Sequence, residues 1–502
     1  MKPFRIFFFG LSVFLLLFVA SVVINNINLV IFGVSVKFPS FYSFVKVEKP
    51  HYKDISHIIR FANSLEDTVK PLPRPDSVKS VKHLSETHKA GKQLVKTDSL
   101  HLITRDIEFP AGADTVLFPF FNQISGLQNS GKLVRILHYG DSQIEGDRIT
   151  SYLRNQLQSR FGGSGIGLFP ILSCNPASIS FVYDVSNNWE KFSPLPGSML
   201  ERVHHRYGAL VNFARLVHNS SIFSRDKELN GWIELKYPNI PYPLAQQSQL
   251  CRIFYGFNKS PMMVELTQNK SVIDAEMVPP SSSLKELRWN LASPRNILIS
   301  FTSSESPDIY GISLDGGHGI AVDNIPLRGS SGLEFTKTDL AFLSDFYRLL
   351  NVKLLILQFG VNIVPNVTSN YEYYEKSFYK QLIALKKTVP GLSILVMGVS
   401  DVSRNGENGF ESFPNIEKIR DAQKKASFDA GCAFWDLFEA MGGKNSMPSW
   451  VFANPPLAQK DFVHFNPMGA KIIGEMFYRS FMREYERYLE TKQKNKEMAV
   501  LK

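Results

Sequence analysis

Over much of the chain, continuous apolar runs take turns with segments in which apolar residues recur at helical spacing. Residues 133–139 form a nearly continuous apolar run, which is typical of a strand buried on both faces. Residues 144–161 then place apolar side chains at helical spacing, which predicts an α-helix. Further strands are predicted at 319–325, 352–359, 393–399 and 433–437. Further helices are predicted at 336–350, 371–389, 414–430 and from residue 467 onwards. Because strands alternate with helices, we expect an α/β fold with a parallel sheet and right-handed crossovers.

Between the predicted helix at 144–161 and the predicted strand at 319–325, the pattern changes to short runs in which apolar and polar residues alternate. From residue 182 to residue 313 such runs recur about every ten residues, with Asn, Pro, Gly and Ser between them. This spacing is typical of an antiparallel β-sandwich. We therefore expect an α/β domain made of residues 107–181 and 314–490, interrupted by an inserted β-sandwich domain at residues 182–313.

The N-terminal segment is strongly apolar. Lys2 and Arg5 precede it, and residues 6–36 carry no formal charge. A run of this length crosses a bilayer of about 30 Å, and basic residues in front of it predict a cytoplasmic N-terminus. Residues 1–36 are therefore expected to be an uncleaved signal anchor with a transmembrane helix. A cleaved signal peptide is the alternative, although Ala20-Ser21-Val22 makes a poor cleavage site.

The composition is that of a globular protein with polar extensions. The chain has 502 residues, of which 44% are hydrophobic and 20% charged. Residues 37–106 are rich in Lys, His, Ser and Pro and predict a linker, and residues 491–502 predict a charged tail. Much of the net charge of +10 lies in these two segments rather than in one basic patch, which argues against nucleic-acid binding.

No cofactor or metal ion is predicted. Cys174, Cys251 and Cys432 are far apart and odd in number, so they fit neither zinc-ligand spacing nor a disulfide framework. The glycine-rich stretch at 161–169 lacks the G-x-G-x-x-G spacing and follows a predicted helix, which argues against a dinucleotide site. We expect small buried cysteines and a surface loop in these places.

Candidate chemistry lies at the carboxyl ends of the predicted parallel strands, where ligands bind in open α/β sheets. Ser142 follows the first strand, Gly329 the second and Asn362 the third, while Asp461 and His464 precede the last helix. A serine hydroxyl needs a base to become a nucleophile, and His464 is the candidate. Asp461 is placed to orient the imidazole. The N–H groups of Ser142 and Gly329 and the Asn362 side-chain amide are candidate oxyanion donors.

These segments resemble the sequence blocks of the GDSL, or SGNH, family of serine esterases. Gly140-Asp141-Ser142 resembles the first block, with Gln143 where leucine is usual. RGSSG resembles the second block, GVN the third, and DFVH the Asp-x-x-His block. The second block is the weakest match, because Gly332 is an alternative to Gly329. The resemblance implies a flavodoxin-like three-layer hydrolase domain and a Ser142–His464–Asp461 triad.

The expected function is that of an exported serine esterase at the cell envelope. The resemblance extends to peptidoglycan O-acetylesterases that carry an inserted β-domain similar to carbohydrate-binding modules. We therefore expect removal of ester-linked acyl groups, with acetyl as the leading choice, from envelope polysaccharide or peptidoglycan outside the cytoplasm. The expected partners are the acylated glycan and the membrane. Three alternatives stay open: O-acyl transfer by the same triad, a lipid ester as substrate, and glycan binding without catalysis.

Overall fold

The computed structural model describes most of the chain. It describes residues 3–23, 28–31, 34–37, 52–66, 105–127, 130–173, 178–195, 204–218, 228–237, 241–291, 296–406 and 409–500. The chain forms two compact units. The first consists of Met1–Tyr52 with Asn405–Phe410, and the second of Lys53–Arg404 with Glu411–Lys502.

The first unit contains a helix, α1 (Pro3–Val23), and an antiparallel hairpin of β1 (Asn28–Ile31) and β2 (Val34–Lys37). The prediction of an N-terminal transmembrane helix is wrong. Among the described residues, no helix is both long and apolar enough to cross a membrane.

The predicted linker contains an ordered helix, α2 (Ser56–Glu66). Ile55, Ile58 and Phe61 are buried, and the guanidinium of Arg479 lies over the Phe61 ring, 4.8 Å from its centroid. These buried side chains pack the helix against the rest of the unit. The polar composition of the surrounding region gave no indication of this helix. Most of the remaining linker, at 38–51 and 67–104, lies outside the described residues.

The other strands belong to the parallel sheet, to two antiparallel sheets and to a short hairpin. In chain order they are β3 (Ile107–Glu108), β4 (Leu133–Gly140), β5 (Gly167–Phe169), β6 (Val182–Val185), β7 (Trp189–Phe192), β8 (Phe213–Leu216), β9 (Leu229–Lys236), β10 (Leu250–Asn258), β11 (Met262–Gln268), β12 (Ser271–Val278), β13 (Ser281–Asn290), β14 (Ile297–Ser303), β15 (Asp308–Asp315), β16 (Gly319–Pro326), β17 (Val352–Gln358), β18 (Ser393–Met397), β19 (Ser403–Gly406), β20 (Gly409–Ser412) and β21 (Ala433–Trp435).

The other helices include five that lie in the regions predicted to be helical. In chain order they are α3 (Phe118–Ile124), α4 (Thr150–Phe161), α5 (Leu340–Leu350), α6 (Glu372–Lys386), α7 (Ile416–Asp429), α8 (Leu437–Ala440), α9 (Ser446–Val451) and α10 (Pro467–Val500). α10 continues to Val500, through most of the region predicted as a charged tail.

The parallel sheet has the order β16-β4-β17-β18-β21, with β3 antiparallel at the edge. The register pairs Gly140, the last residue of β4, with Pro326 of β16 and with Gln358 of β17. Three neighbouring strands therefore end at the same level, and the segments that follow them leave from one edge. The predicted α/β fold with a parallel sheet is confirmed.

Helices cover both faces of this sheet. Leu137 and Tyr139 of β4 face a core that they share with α5, α6 and α7, and the Tyr139 hydroxyl lies 2.9 Å from that of Tyr347. On the other face, Trp435 of β21 contacts Phe477 of α10 with ring centroids 5.3 Å apart. Apolar side chains on both faces explain why the sequences of these strands are nearly continuous apolar runs.

The region between the two α/β segments forms two antiparallel sheets. Their orders are β13-β10-β15-β8-β7, with β5 on β15, and β12-β11-β14-β9-β6. Ile253 of the first sheet and Ile233 of the second belong to one buried cluster. The antiparallel strands extend beyond 182–313, because β5 precedes this range and β15 ends at Asp315. They lie in the same compact unit as the parallel sheet, so the division into a hydrolase domain and an inserted domain stays a prediction.

A buried ion cluster joins the parallel sheet to an antiparallel one. Arg135 of β4 contacts Asp323 of the neighbouring β16 and Asp315 of β15, each at 2.6 Å, and all three side chains are fully buried. Asp323 also accepts the Leu168 N–H at 3.0 Å. Two carboxylates thus depend on one guanidinium for their compensating charge.

Arg135→Met is expected to lower the free energy of unfolding by about 3–5 kcal/mol, because it leaves two buried carboxylates without their cation. Denaturant unfolding followed by circular dichroism measures this loss. Arg348→Met is the control, since Arg348 and Asp345 form an exposed pair at 3.1 Å and such pairs contribute little. An equal loss in both variants would contradict the account of the cluster.

Candidate active site

A tight turn at the end of β4 presents Ser142. A side chain at Gly140 would bring its Cβ within 2.8 Å of the Gln358 carbonyl oxygen, so the position requires glycine. A short 3-10 helix, Ser142–Asp147, follows. The predicted helix at 144–161 begins later, at Thr150, because Gly146 and Asp147 have φ values of 65° and 63° that no α-helix accommodates.

The loop before α10 brings His464 to this turn. The Ser142 hydroxyl lies 2.8 Å from Nε2 of His464, although 322 residues separate them. Nδ1 of His464 lies 2.7 Å from the carboxylate of Asp461. The structure therefore places the three predicted residues in one hydrogen-bonded line.

The charge state of Asp461 suits this arrangement. Burial raises its pKa, but the N–H of His464, the imidazole and the N–H of Val463 together lower the pKa below its ordinary value. The two backbone N–H groups donate to the same carboxylate oxygen at 2.9 and 3.0 Å. The other oxygen is left to the imidazole. The carboxylate thus stays ionised at neutral pH and fixes which ring nitrogen carries a proton.

The two remaining predicted residues lie at the ends of the strands that flank β4. Gly329, after β16, has a φ of 79°, and a Cβ added there would meet no atom within 4 Å, so backbone conformation explains the glycine. Asn362, after β17, donates an Nδ2 hydrogen to the Ser330 carbonyl at 2.8 Å. This bond fixes the amide plane, and Nδ2 carries a second hydrogen.

A cleft of about 740 Å³ connects these residues. Its lining residues include four of the five predicted ones, Ser142, Gly329, Asn362 and His464. Asp461 does not line the cleft and lies behind the imidazole. The other lining residues are Glu145, Gly146, Arg148, Ser178, Ile179, Arg328, Gln459 and Pro467. A reacting group in the cleft has a hydroxyl, an imidazole and amide donors around it.

Two lining side chains form an ion pair that sequence reasoning missed. Arg328 binds the carboxylate of Glu145 through Nε and through Nη2, the latter at 2.6 Å. Asp147, at the end of the same turn as Glu145, is also ion-paired, with Arg154 at 2.6 Å. The pairs join residues from different segments, so sequence spacing alone gave no signal for Arg328.

The sequence also gave no prediction for the Asp141 side chain beyond its place in the Gly-Asp-Ser motif. It is fully buried, and it accepts the N–H groups of Gln143 at 3.0 Å and Val361 at 3.3 Å. Burial raises its pKa to about 7, although these N–H groups oppose the shift. The side chain thus links the turn after β4 to the turn after β17. Its position inside the Gly-Asp-Ser motif was the only available signal.

One histidine near the site and two of the three cysteines lie in the protein interior. His138 is fully buried between Gln358 and Thr150, and burial lowers its pKa to about 4. Cys251 and Cys432 are buried free thiols, and Cys174 lies outside the described residues. In the described ranges, no cluster of three or more His, Cys, Asp or Glu side chains is arranged to hold a metal ion.

Comparison with solved structures identifies the fold. The chain superposes on a peptidoglycan O-acetylesterase with a TM-score of 0.58 and 20% identity, over 74% of this chain and 96% of that one. An acetyl xylan esterase aligns with 32% of this chain and 81% of its own, at 15% identity and a TM-score of 0.26. A GDSL-like lipase from Parabacteroides merdae aligns with 32% and 72%, at 15% identity and a TM-score of 0.24. Only the first score establishes a common fold.

No family model matches the chain, and no curated protein sequence matches it. The assignment therefore rests on three-dimensional structure. The chain has the fold of the peptidoglycan O-acetylesterase.

The raised pKa of Asp141 predicts a pH-dependent stability. The folded protein holds a proton there up to pH about 7, whereas an unfolded aspartate with a pKa of 3.8 has lost it. The stabilisation present below pH 3.8 is therefore lost as the pH rises through about 7. Asn at position 141 does not ionise, so Asp141→Asn lacks this pH dependence. Relative to that variant, the free energy of unfolding of the wild type should fall by up to about 4 kcal/mol between pH 4 and pH 8.

Urea unfolding of both proteins at several pH values measures this difference. Asp345→Asn serves as the control, because the Asp345 side chain is 68% exposed and its difference from the wild type should stay flat. A flat difference for Asp141→Asn as well would show that Asp141 ionises normally in the folded protein.

Proposed function

We propose that this protein is a serine esterase that removes acetyl groups from a polysaccharide or peptidoglycan of the cell envelope. The observation that carries the proposal is the hydrogen-bonded line from Ser142 through His464 to Asp461, at 2.8 and 2.7 Å. Hydroxyl, imidazole and carboxylate in this order are what nucleophilic acyl transfer requires. The shared fold with a peptidoglycan O-acetylesterase supports the same function.

The first chemical step forms an acyl-enzyme. Oγ of Ser142 attacks the acyl carbon, and Nε2 of His464 accepts the hydroxyl proton. The imidazolium that forms donates its Nδ1–H to Asp461, whose lowered pKa keeps the carboxylate charged. His464 then gives its proton to the sugar oxygen as the ester bond breaks.

The negative charge of the tetrahedral intermediate needs donors in the same cleft. Within the described residues, the backbone N–H groups of Ser142 and Gly329 donate to no acceptor. Asn362 has a second Nδ2 hydrogen, because only one goes to Ser330. Each such donor contributes about 3 kcal/mol, or two to three powers of ten in rate.

The second step releases the acyl group. Water takes the place of the sugar hydroxyl, and Nε2 of His464 removes one of its protons as the oxygen attacks the acyl carbon. Collapse of the second intermediate returns the proton to Ser142 and frees the acid. No cofactor is needed, because the acyl group is passed between oxygen nucleophiles and all proton transfers go through one imidazole.

The cleft lining carries groups that can bind a sugar. Side chains of Glu145, Arg148, Ser178, Arg328 and Gln459 line it, together with Ile179 and Pro467. Sugar hydroxyls find donors and acceptors among the polar side chains, and sugar rings pack on the apolar ones. This supports an acetylated glycan as the substrate. An envelope glycan as substrate would locate the protein at the cell envelope.

Ser142→Ala is expected to lower kcat on an aryl acetate by about 10⁴-fold or more, since loss of the nucleophile removes the covalent route. Spectrophotometric release of the phenol measures the rate. Ser159→Ala on α4 is the control, because Ser159 is exposed and bonds only the carbonyl of Asn155 among the described residues. Wild-type turnover by a folded Ser142→Ala protein would refute the proposed mechanism.

A further inference from the structure

His464 lies on a loop whose own contacts do not fix its distance to Ser142. The Asp461 carboxylate bonds the N–H groups of Val463 and His464 and the imidazole, all of which belong to the same loop. It therefore sets the angle of the imidazole within the loop. It does not set the separation between the loop and the turn that carries Ser142.

Partial exposure to solvent leaves that separation to contacts from other segments. The His464 side chain is 25% exposed and that of Asp461 is 42% exposed, so the pair lies at the protein surface. Phe462 between them has a φ of 60°, a conformation that costs a non-glycine residue energy. A strained, exposed loop needs contacts from another segment to keep its imidazole in line with a nucleophile.

Gln143, directly after Ser142, makes the first of these contacts. Its Nε2 donates to the Val463 carbonyl at 2.6 Å, and its Oε1 accepts the Phe465 N–H at 3.4 Å. The side chain thus holds the backbone on both sides of His464. Nε2 also donates to the Ser400 hydroxyl at 3.0 Å, and Gln143 is buried, so the amide is held in one orientation.

Arg148 makes the second contact from the other end of the same turn. Its Nη1 donates to the Phe465 carbonyl at 3.0 Å, and its Nη2 donates to the carbonyl of Ser142 itself at 2.5 Å. Its Nε donates to the Glu145 carbonyl at 2.7 Å. One planar guanidinium thus joins the nucleophile residue to the residue that follows His464.

We propose that Gln143 and Arg148 are positioning residues that hold the His464 imidazole at hydrogen-bonding distance from the Ser142 hydroxyl. The inference rests on the proposed esterase function and deepens it. Leucine, the usual residue after the serine in GDSL blocks, has no donor or acceptor with which to make the Gln143 contacts. The departure from the usual block is then part of how this chain aligns its nucleophile and base.

Gln143→Met tests the proposal, because methionine has a similar shape but lacks the amide. We expect kcat on an aryl acetate to fall by about 10²-fold, as misplacement of catalytic groups by about 1 Å does. KM should change less than about twofold, because the side chain does not line the cleft. Arg148→Lys, which keeps the charge but loses the planar fork, should give a similar fall in kcat.

Gln381→Met is the matched control. Gln381 is also buried, accepts the Thr336 N–H at 2.8 Å and donates to the Thr336 hydroxyl at 2.8 Å, and neither residue lines the cleft. It should lose stability to a similar degree as Gln143→Met and keep its kcat. Denaturant unfolding of each variant shows that the folded protein is being assayed.

The outcomes separate the two proposals. Wild-type turnover with kcat within about twofold in folded Gln143→Met and Arg148→Lys overturns the positioning role and leaves the esterase function standing. An equal loss of kcat in Gln381→Met also overturns it, because the effect would then follow from general loosening. If Gln143→Met does not fold, Arg148→Lys decides alone. A wild-type protein without ester turnover overturns the proposed function, and the positioning role with it.

Discussion

The register of three parallel strands is the constraint on which the candidate site depends. Gly140 is paired with Pro326 on one side and with Gln358 on the other, so three chain segments leave the sheet at one height. Ser142, Gly329 and Asn362 follow within a few residues of these ends. A shift of one residue in either pairing would move a donor by about 3.3 Å, which exceeds the tolerance of a hydrogen bond.

The partner of this rigid edge is a loop of different character. The strands are fixed by ladders of hydrogen bonds and by helices on both faces, whereas His464 comes from a partly exposed segment in front of α10. Joining the two requires contacts that run from one to the other, and Gln143 and Arg148 supply them. The site thus combines donors that are fixed by the sheet with a base that is held in place by side chains.

The sequence predicted those features that depend on local pattern. Continuous apolar runs predicted the parallel strands, and short motifs after them predicted which residues meet at the edge. The late start of α4 was not predictable, because it follows from the backbone at Gly146 and Asp147. The cluster of Arg135, Asp315 and Asp323 and the pair of Glu145 and Arg328 join residues 180 or more apart, and spacing along the chain gives no information on such pairs.

Composition alone did not predict two helical segments. The region predicted as a polar linker contains α2, where Ile58 and Phe61 are buried, and α10 continues through the region predicted as a charged tail.

The central claim, that residue 142 is an activated nucleophile, is tested most directly by labelling with a fluorophosphonate and mapping the modified peptide. A single labelled peptide that carries Ser142 is expected, with loss of ester turnover in proportion to labelling. Label on another serine, or full turnover after Ser142 is blocked, would contradict it.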